Sequence, residues 1–296
     1  LMERLTSRQP ATFSTEWDGK TSATAKTTLH VITVAVSDYP ADSGYQRLPY
    51  AEASAREFAT LFDPRKAGRN GLYAHVRIWE GLFGPKADRE GVRRRLAEVV
   101  STAGEDDVVL LYLAGHGAVP EEREMFYWIP FDGRGDNEGE LRRTGLSTAL
   151  LAEWLRGLRA RRVLLVLDAC QSGGAVEALR KIGEIKARIE QHRQQQHPLP
   201  AARFIRGVGI YLVAATMPLS YAVQLPTQGH SILLEAFGAA IHQDHGIPSV
   251  RDLVNRLRDQ VPNISEKLIP GFRQVPLVNS IGLDFPLLLP AASPAE

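Results

Sequence analysis

The chain of 296 residues carries 35 basic and 34 acidic side chains, and 44% of its residues are hydrophobic. This composition supports a sizeable hydrophobic core, and the balanced charge gives no electrostatic footprint for nucleic acid or a membrane surface as a partner. The single cysteine cannot form an internal disulfide. The given sequence opens with no signal-peptide pattern and contains no apolar run of about 18 residues, so we expect a cytoplasmic protein.

Five segments are predicted ahead of the first informative motif. Residues 1–28 are rich in Ser, Thr and Lys without apolar periodicity, which is typical of a linker or an exposed arm. An apolar run at 29–37 predicts the first strand, and apolar residues at helical spacing predict a helix over 48–63. A strand at 76–80 and a helix at 86–101 follow.

Two further apolar runs end in residues that can do chemistry. Residues 108–113 run into AGHG, which contains His116, and residues 163–167 run into DAC, which contains Cys170. Short runs of this kind are typical of strands buried on both faces of a parallel sheet. Because open α/β sheets hold their ligands at the carboxyl ends of the strands, we expect the imidazole and the thiol to lie at one edge.

The remaining segments continue the alternation of strands and helices. They comprise a polar loop at 132–140, helices at 147–158, 178–196, 232–241 and 249–261, a strand at 208–214 and an edge strand at 274–278. Buried strands that alternate with amphipathic helices predict an α/β fold, in which a mostly parallel central sheet of about six strands carries helices on both faces.

Three sequence blocks resemble the caspase and metacaspase superfamily of cysteine peptidases. The blocks are YLAGHG at 112–117, WIPFD at 128–132 and VLDACQSGG at 166–174. They occur in the order that this family has, and the bacterial caspase-like domains are the most similar. Cys170 follows His116 by 54 residues, and in caspases the His lies about 50 residues ahead of the Cys. The resemblance implies a three-layer caspase-like sandwich.

The resemblance also implies a domain organisation. Residues 29–287 would form one caspase-like peptidase domain, with 1–28 as an arm and 288–296 as a tail. Residues 175–206 would be a helical insertion after the Cys strand, and two interpretations of it stay open: an ordered surface insertion, or an activation loop that the enzyme cleaves itself. The candidate self-cleavage sites are Arg188, Arg193, Arg203 and Arg206.

Peptide hydrolysis requires a nucleophile stronger than water, and a thiolate beside an imidazole supplies one. We therefore predict Cys170 as the nucleophile and His116 as the base that later protonates the leaving amine. In the resembled family the backbone N–H groups of the Cys and of the Gly after the His form the oxyanion hole, here Cys170 and Gly117. The alternatives are a small buried Cys and a hydrogen-bonded core His, and the glycines around both residues argue against them.

Asp168 is predicted to select the substrate. It lies two residues before Cys170, so strand alternation turns both toward the same cleft, and a carboxylate there would pair with Arg or Lys at P1, the substrate residue before the cleaved bond, as in metacaspases. The alternative is an Asp that only orders the turn. Ser54 stands where the family commonly has an Asp in the P1 pocket, and Ala215 begins a segment resembling one that shapes this pocket.

These observations predict a hydrolase, a thiol protease that cuts a protein or peptide substrate after Arg or Lys. The resemblance implies a bacterial signalling or defence system, with an activating partner or a further domain, and we expect a monomer. We expect no cofactor, because the acidic loop at 132–140 lacks the spacing of an EF-hand calcium site, although some metacaspases require calcium. The alternatives are a catalytically silent caspase-like interaction module and a nucleotide-binding domain, and the latter lacks its glycine fingerprint.

Overall fold

The computed structural model describes residues 27–64, 73–120, 125–135, 137–169, 209–215, 224–225, 229–242 and 249–287. A seven-stranded sheet is the centre of this part of the chain. The strands of the described residues are β1 (Thr28–Ala35), β2 (His75–Ile78), β3 (Leu82–Phe83), β4 (Val108–Gly115), β5 (Gly117–Ala118), β6 (Tyr127–Trp128), β7 (Leu146–Ser147), β8 (Arg162–Ala169), β9 (Gly209–Ala214), β10 (Gln224–Leu225), β11 (His230–Ser231) and β12 (Leu277–Gly282).

The central sheet has the order β12-β9-β8-β4-β1-β2, and β3 also pairs with β1. β12 is antiparallel to β9, whereas the other neighbours are parallel. Two small antiparallel sheets consist of β5, β6 and β7 and of β10 and β11. β4 and β8 are therefore neighbours in the middle of the sheet, and both strands end at the same edge.

Six α-helices lie in the described residues, and side-chain caps start most of them. They are α1 (Ala51–Thr60), α2 (Arg89–Thr102), α3 (Glu138–Thr144), α4 (Thr148–Gly157), α5 (Ile232–His242) and α6 (Val250–Leu268). The Asp88 carboxylate accepts a hydrogen bond from Gly91 N at 2.7 Å, and the Ser249 hydroxyl accepts one from Asp252 N at 3.2 Å. Such caps satisfy N–H groups that the helix itself leaves unpaired.

The helices cover the sheet on both faces. On one face Tyr112 and Val166 pack against α1, α5 and α6, where Phe58 and Phe237 are buried. On the other face Leu111 and its neighbours in the sheet pack against α2 and α4. Successive side chains of a strand point to opposite faces, so the uninterrupted apolar runs supply both cores. The predicted α/β fold, with a mostly parallel sheet and helices on both faces, is confirmed.

Three predicted boundaries were wrong, each because of a tertiary or capping contact. The loop predicted at 132–140 ends early, because Asn137 caps α3. The helix predicted to end at 261 continues as α6 through Pro262, which is buried with that face of the helix. The last strand begins only at Leu277, because Gln274 is bonded to α6 through the Ser265 hydroxyl at 2.8 Å instead of entering the sheet.

Several predicted segments lie outside the described residues. They are most of the arm at 1–28, the insertion at 175–206 with its helix, and the tail at 288–296. Among the helices that the structure does describe, none combines the length and the apolar character needed to cross a membrane.

Candidate active site

Two strand ends bring the motifs to the same level of the sheet. β4 and β8 run parallel, with Ala114 opposite Asp168 and Gly115 opposite Ala169. His116 is the residue directly after β4. Cys170 is bonded to Ala169, the last residue of β8, and itself lies outside the described residues. The two strands therefore end side by side, at the carboxyl edge of the sheet.

His116 is held by the loop that follows β1. Its backbone N–H donates to the Tyr39 hydroxyl at 3.0 Å, and that hydroxyl donates to Ile129 O at 3.0 Å. The imidazole lies between two aromatic rings, with centroid distances of 5.1 Å to Tyr39 and 5.2 Å to Tyr45. These contacts fix the backbone of His116 and confine its ring.

The hydrogen bond of the imidazole determines its tautomer. Nε2 of His116 lies 2.8 Å from the carbonyl oxygen of Gln46. A carbonyl can only accept, so the proton is on Nε2, and in the neutral ring Nδ1 keeps a free lone pair. Burial lowers the pKa of His116, and the bond to Gln46 partly opposes this shift. The ring is therefore predominantly neutral near pH 7, with Nδ1 able to accept a proton.

The two glycines that flank His116 have different structural roles. Gly115 has φ +151°, and a Cβ at this position would lie 2.8 Å from the Tyr39 hydroxyl oxygen, so a side chain there would displace the tyrosine. Gly117 pairs with Trp128, whereas the adjacent Ile129 N–H donates to His116 O at 3.0 Å. Because hydrogen-bonded and non-hydrogen-bonded pairs alternate in an antiparallel ladder, the Gly117 N–H points away from β6.

Asp168 is buried at the end of β8, with 7% of its surface exposed. The hydroxyls of Tyr112 and Ser231 both donate to its Oδ2 atom. Burial raises the pKa of Asp168, while the hydrogen bonds from Ser231 and Tyr112 and the nearby His230 act in the opposite direction. The carboxyl is thus desolvated and held in one orientation by two fixed donors.

Ser231 connects this carboxyl to two helices. Its hydroxyl accepts a hydrogen bond from Leu234 N at 3.1 Å in the first turn of α5, and its backbone N–H donates to the Ser54 hydroxyl of α1 at 2.9 Å. Ala215 follows β9, the other neighbour of β8, and its N–H donates to Leu167 O at 2.9 Å. The described residues predicted for the P1 pocket, Ser54, Asp168 and Ala215, therefore lie near the end of β8.

The structure places His116 and Gly117 after β4 and the pocket residues around the end of β8. It does not describe the other predicted site residues, Cys170, Arg188, Arg193, Arg203 and Arg206. Within the described part of the chain, no three His, Cys, Asp or Glu side chains gather into a metal site.

Sequence reasoning missed five contacts of the site: the two tyrosines beside His116, the Gln46 carbonyl, and the hydroxyls of Tyr112 and Ser231. The contact of Tyr112 could have been predicted from the sequence. Its hydroxyl is the polar side-chain group of the apolar run in β4, and a buried hydroxyl needs a hydrogen-bond partner. The Gln46 carbonyl has no signal in the sequence, because every residue has such a group.

Comparison with known proteins identifies the family. The family model of the caspase domain matches residues 31–287. The chain belongs to the caspase-domain family. This is a family of cysteine peptidases, and the match contains both motifs and the pocket residues described above.

Solved structures share the fold of this chain, and one example gives the measure of the likeness. It is protein GSU0716 from Geobacter sulfurreducens, with a TM-score of 0.56 and 16% sequence identity, over 86% of this chain and 93% of that one. At this identity the likeness concerns the fold alone. No curated protein matches the chain.

Proposed function

We propose that this caspase-domain protein is a cysteine endopeptidase that cleaves a protein substrate after Arg or Lys through a Cys170–His116 dyad. The observation that carries the proposal is the hydrogen bond from His116 Nε2 to the Gln46 carbonyl. It leaves Nδ1 as the basic atom of a neutral imidazole, and it does so beside the strand end to which Cys170 is bonded.

The reaction follows from this tautomer. Nδ1 of His116 takes the thiol proton of Cys170, and the thiolate attacks the scissile carbonyl carbon, forming a C–S bond and an oxyanion. The imidazolium then returns the proton to the amide nitrogen as the C–N bond breaks, leaving a thioester. His116 next takes a proton from water, whose oxygen attacks the thioester carbon; the C–S bond then breaks, the carboxylic acid product leaves, and the imidazolium returns its proton to the Cys170 thiolate. The Gln46 carbonyl stabilises the imidazolium in each half of the cycle.

The oxyanion of each tetrahedral intermediate needs N–H donors that are already in place. We assign this role to the backbone N–H groups of Gly117 and Cys170. The Gly117 pairing supports the assignment, because its N–H is not used by the β5–β6 ladder. Loss of one such donor typically lowers kcat on the order of a hundredfold or more.

The substrate preference rests on Asp168. A carboxylate that is almost fully buried is strongly attracted to a cation that replaces its missing water. An Arg or Lys side chain at P1 would supply that cation, and Ser54 and Ala215 would form part of the same pocket. A neutral P1 side chain would leave the carboxylate without a counter-charge.

The setting of the reaction is proposed from the family. We propose a bacterial signalling or defence role in the cytoplasm, in which an activating partner or a further domain switches on a monomeric peptidase that needs no cofactor. Arg188, Arg193, Arg203 and Arg206 are the candidate sites of self-cleavage during activation. Loss of processing in Cys170→Ala, with processing retained in the wild type, would support cleavage by the enzyme itself.

The decisive experiment is a panel of fluorogenic peptides that differ only at P1. We expect the wild type to cleave the Arg and Lys peptides. Cys170→Ser should cleave the same peptides at a much lower rate than the wild type, and Cys170→Ala should not cleave them. Labelling of Cys170 by an arginyl ketone probe is expected in parallel. A wild-type protein that folds, cleaves no peptide and takes up no probe would instead be a catalytically silent interaction module.

A further inference from the structure

The two oxygens of Asp168 are in different environments. Both hydrogen bonds that the described residues make to its side chain fall on Oδ2, one from the Tyr112 hydroxyl and one from the Ser231 hydroxyl. Oδ1 receives none from the described residues, although the residue is only 7% exposed. A carboxylate that is this deeply buried normally has both oxygens satisfied, so Oδ1 is an acceptor in need of a donor.

The two donors cannot easily turn away from Oδ2. The ring of Tyr112 is buried and stacks on Phe58, with a centroid distance of 4.6 Å. The Ser231 oxygen already accepts the N–H of Leu234 at 3.1 Å, which directs its own proton toward Asp168. Moving either hydroxyl would break a second contact, so the carboxyl group keeps Oδ2 toward these two donors and Oδ1 away from them.

Ser54 closes this arrangement without adding charge. Its hydroxyl accepts from Ser231 N at 2.9 Å and also hydrogen-bonds to the Tyr112 side chain. The four residues therefore form one hydrogen-bonded ring, in which Asp168 is the only carboxylic acid. With serine at position 54, the ring offers a ligand one carboxylate.

We propose that Tyr112 and Ser231 are positioning residues for substrate selectivity, which occupy Oδ2 of Asp168 and leave Oδ1 as the carboxylate oxygen that receives the P1 cation, so that the pocket accepts lysine at least as well as arginine. This inference rests on the proposed function. It adds the geometry of recognition, and with it the ranking of the two basic side chains.

The ranking follows from the shapes of the two cations. A guanidinium gains its advantage over an ammonium by placing two parallel N–H bonds on the two oxygens of one carboxylate. When one oxygen is already occupied, that bidentate pair cannot form, and the remaining N–H groups of arginine need other acceptors. An ammonium is a compact point charge that one oxygen can satisfy, so lysine loses nothing in this geometry.

The test compares kcat/KM for peptides that are identical except for Lys or Arg at P1. For the wild type we expect a Lys-to-Arg ratio of about one or more, because each cation makes one charge-assisted hydrogen bond to Oδ1 and the additional N–H groups of arginine gain no second carboxylate oxygen. A reproducible preference for arginine, with a Lys-to-Arg ratio below one, would overturn the single-oxygen geometry while leaving the proposed peptidase intact. Failure to cleave either peptide would overturn both.

The variant Tyr112→Phe tests the positioning role. It keeps the ring that stacks on Phe58 and removes one donor from Oδ2, so the carboxyl can turn and present both oxygens. We expect the Lys-to-Arg ratio to fall by about threefold or more, and the acid limb of kcat/KM for basic peptides to move to higher pH, because a donor that stabilises the anion is lost.

The matched control is Tyr211→Phe, which removes a buried hydroxyl on the same face of the sheet. That hydroxyl contacts Asp284 at 3.4 Å and does not touch Asp168. We expect neither the ratio nor the acid limb to move in this variant. An unchanged ratio and acid limb in Tyr112→Phe would refute the positioning role, and the wild-type ratio tests the geometry even if the variant does not fold.

Discussion

Replacing Asp168 by asparagine should change activity and stability in opposite directions. The amide oxygen of the asparagine can accept both hydroxyls that now donate to Oδ2, and its NH2 group then occupies the position of Oδ1. A donor would face the incoming P1 cation in place of an anion. The hydrogen-bonded ring is expected to survive this change, so the effect on catalysis can be separated from unfolding.

The expected loss of activity is the energy of one charge-assisted contact. Hydrogen bonds to charged groups contribute about 1.5–3 kcal/mol, which corresponds to a loss of roughly 10- to 150-fold in kcat/KM for the Lys and Arg peptides. Alkylation of Cys170 by a small neutral reagent should be unaffected, because that reagent does not use the pocket.

The stability effect follows from the direction of the pKa shift. Burial raises the pKa of Asp168 above its ordinary value of 3.8, so the folded protein holds the proton more tightly than the unfolded chain does. The carboxyl therefore favours folding least at high pH, where it must be ionised and buried, and the penalty disappears as the pH falls below the unfolded value.

Asp168→Asn is accordingly expected to melt at the same temperature as the wild type or higher at pH 7–8, with the difference shrinking toward pH 4. Thermal unfolding of both proteins across this range measures it, and Tyr211→Phe serves as the activity control. Two results would refute the reasoning: unimpaired cleavage of basic peptides by the variant, or a variant that is markedly less stable at pH 8 than at pH 4 relative to the wild type.

Three further changes test the contacts around His116 and at the opposite edge of the sheet. His116→Ala should lower kcat by about 10²- to 10⁴-fold, the usual contribution of a general base, as measured with the Lys peptide; near-normal kcat would remove His116 from the reaction. Tyr39→Phe leaves the N–H of His116 and the carbonyl of Ile129 without the hydroxyl that now joins them. We therefore expect the free energy of unfolding, measured in urea, to fall by about 1–3 kcal/mol, together with a lower kcat. Unchanged stability would show that water replaces the hydroxyl. The Nδ1 atom of His30 accepts the indole N–H of Trp79 at 3.3 Å, and burial lowers the His30 pKa below 6.5. Because the unfolded chain then binds the proton more readily than the folded protein, the free energy of unfolding should be highest above pH 6.5 and fall below it. This fall should be absent in His30→Gln.

The His30 contact also shows how a tautomer is fixed at each edge of the sheet. An indole N–H can only donate, so His30 keeps its proton on Nε2, which lies 3.2 Å from Asp107 Oδ2. His116 keeps its proton on the same atom by a different route, through a carbonyl that can only accept. In both histidines the partner determines which nitrogen is basic; in His30 that nitrogen accepts the Trp79 indole N–H, whereas among the described residues Nδ1 of His116 has no hydrogen-bond partner.

The sequence by itself determined the layered fold and predicted the strand ends at which the candidate site lies. The apolar runs at 108–113 and 163–167 have the length of a strand and do not alternate with polar residues, which is typical of strands buried on both faces. A sheet of such strands requires helices above and below it. The AGHG and DAC motifs stand directly after those runs, so parallel pairing was sufficient to predict that they meet at one edge. Local pattern carries this information because strand periodicity and burial depend on near neighbours in the chain.

Tertiary structure alone decided which groups surround those motifs. Ser231 lies 63 residues from Asp168 in the chain and Gln46 lies 70 residues from His116, and neither contact follows from any local pattern. Gln46 acts through a backbone carbonyl, which is the same in every residue, so the type of side chain gives no sign of it. The tautomer of His116 and the orientation of the Asp168 carboxyl are thus set by hydrogen bonds between distant segments, which exist only once the sheet has brought those segments together.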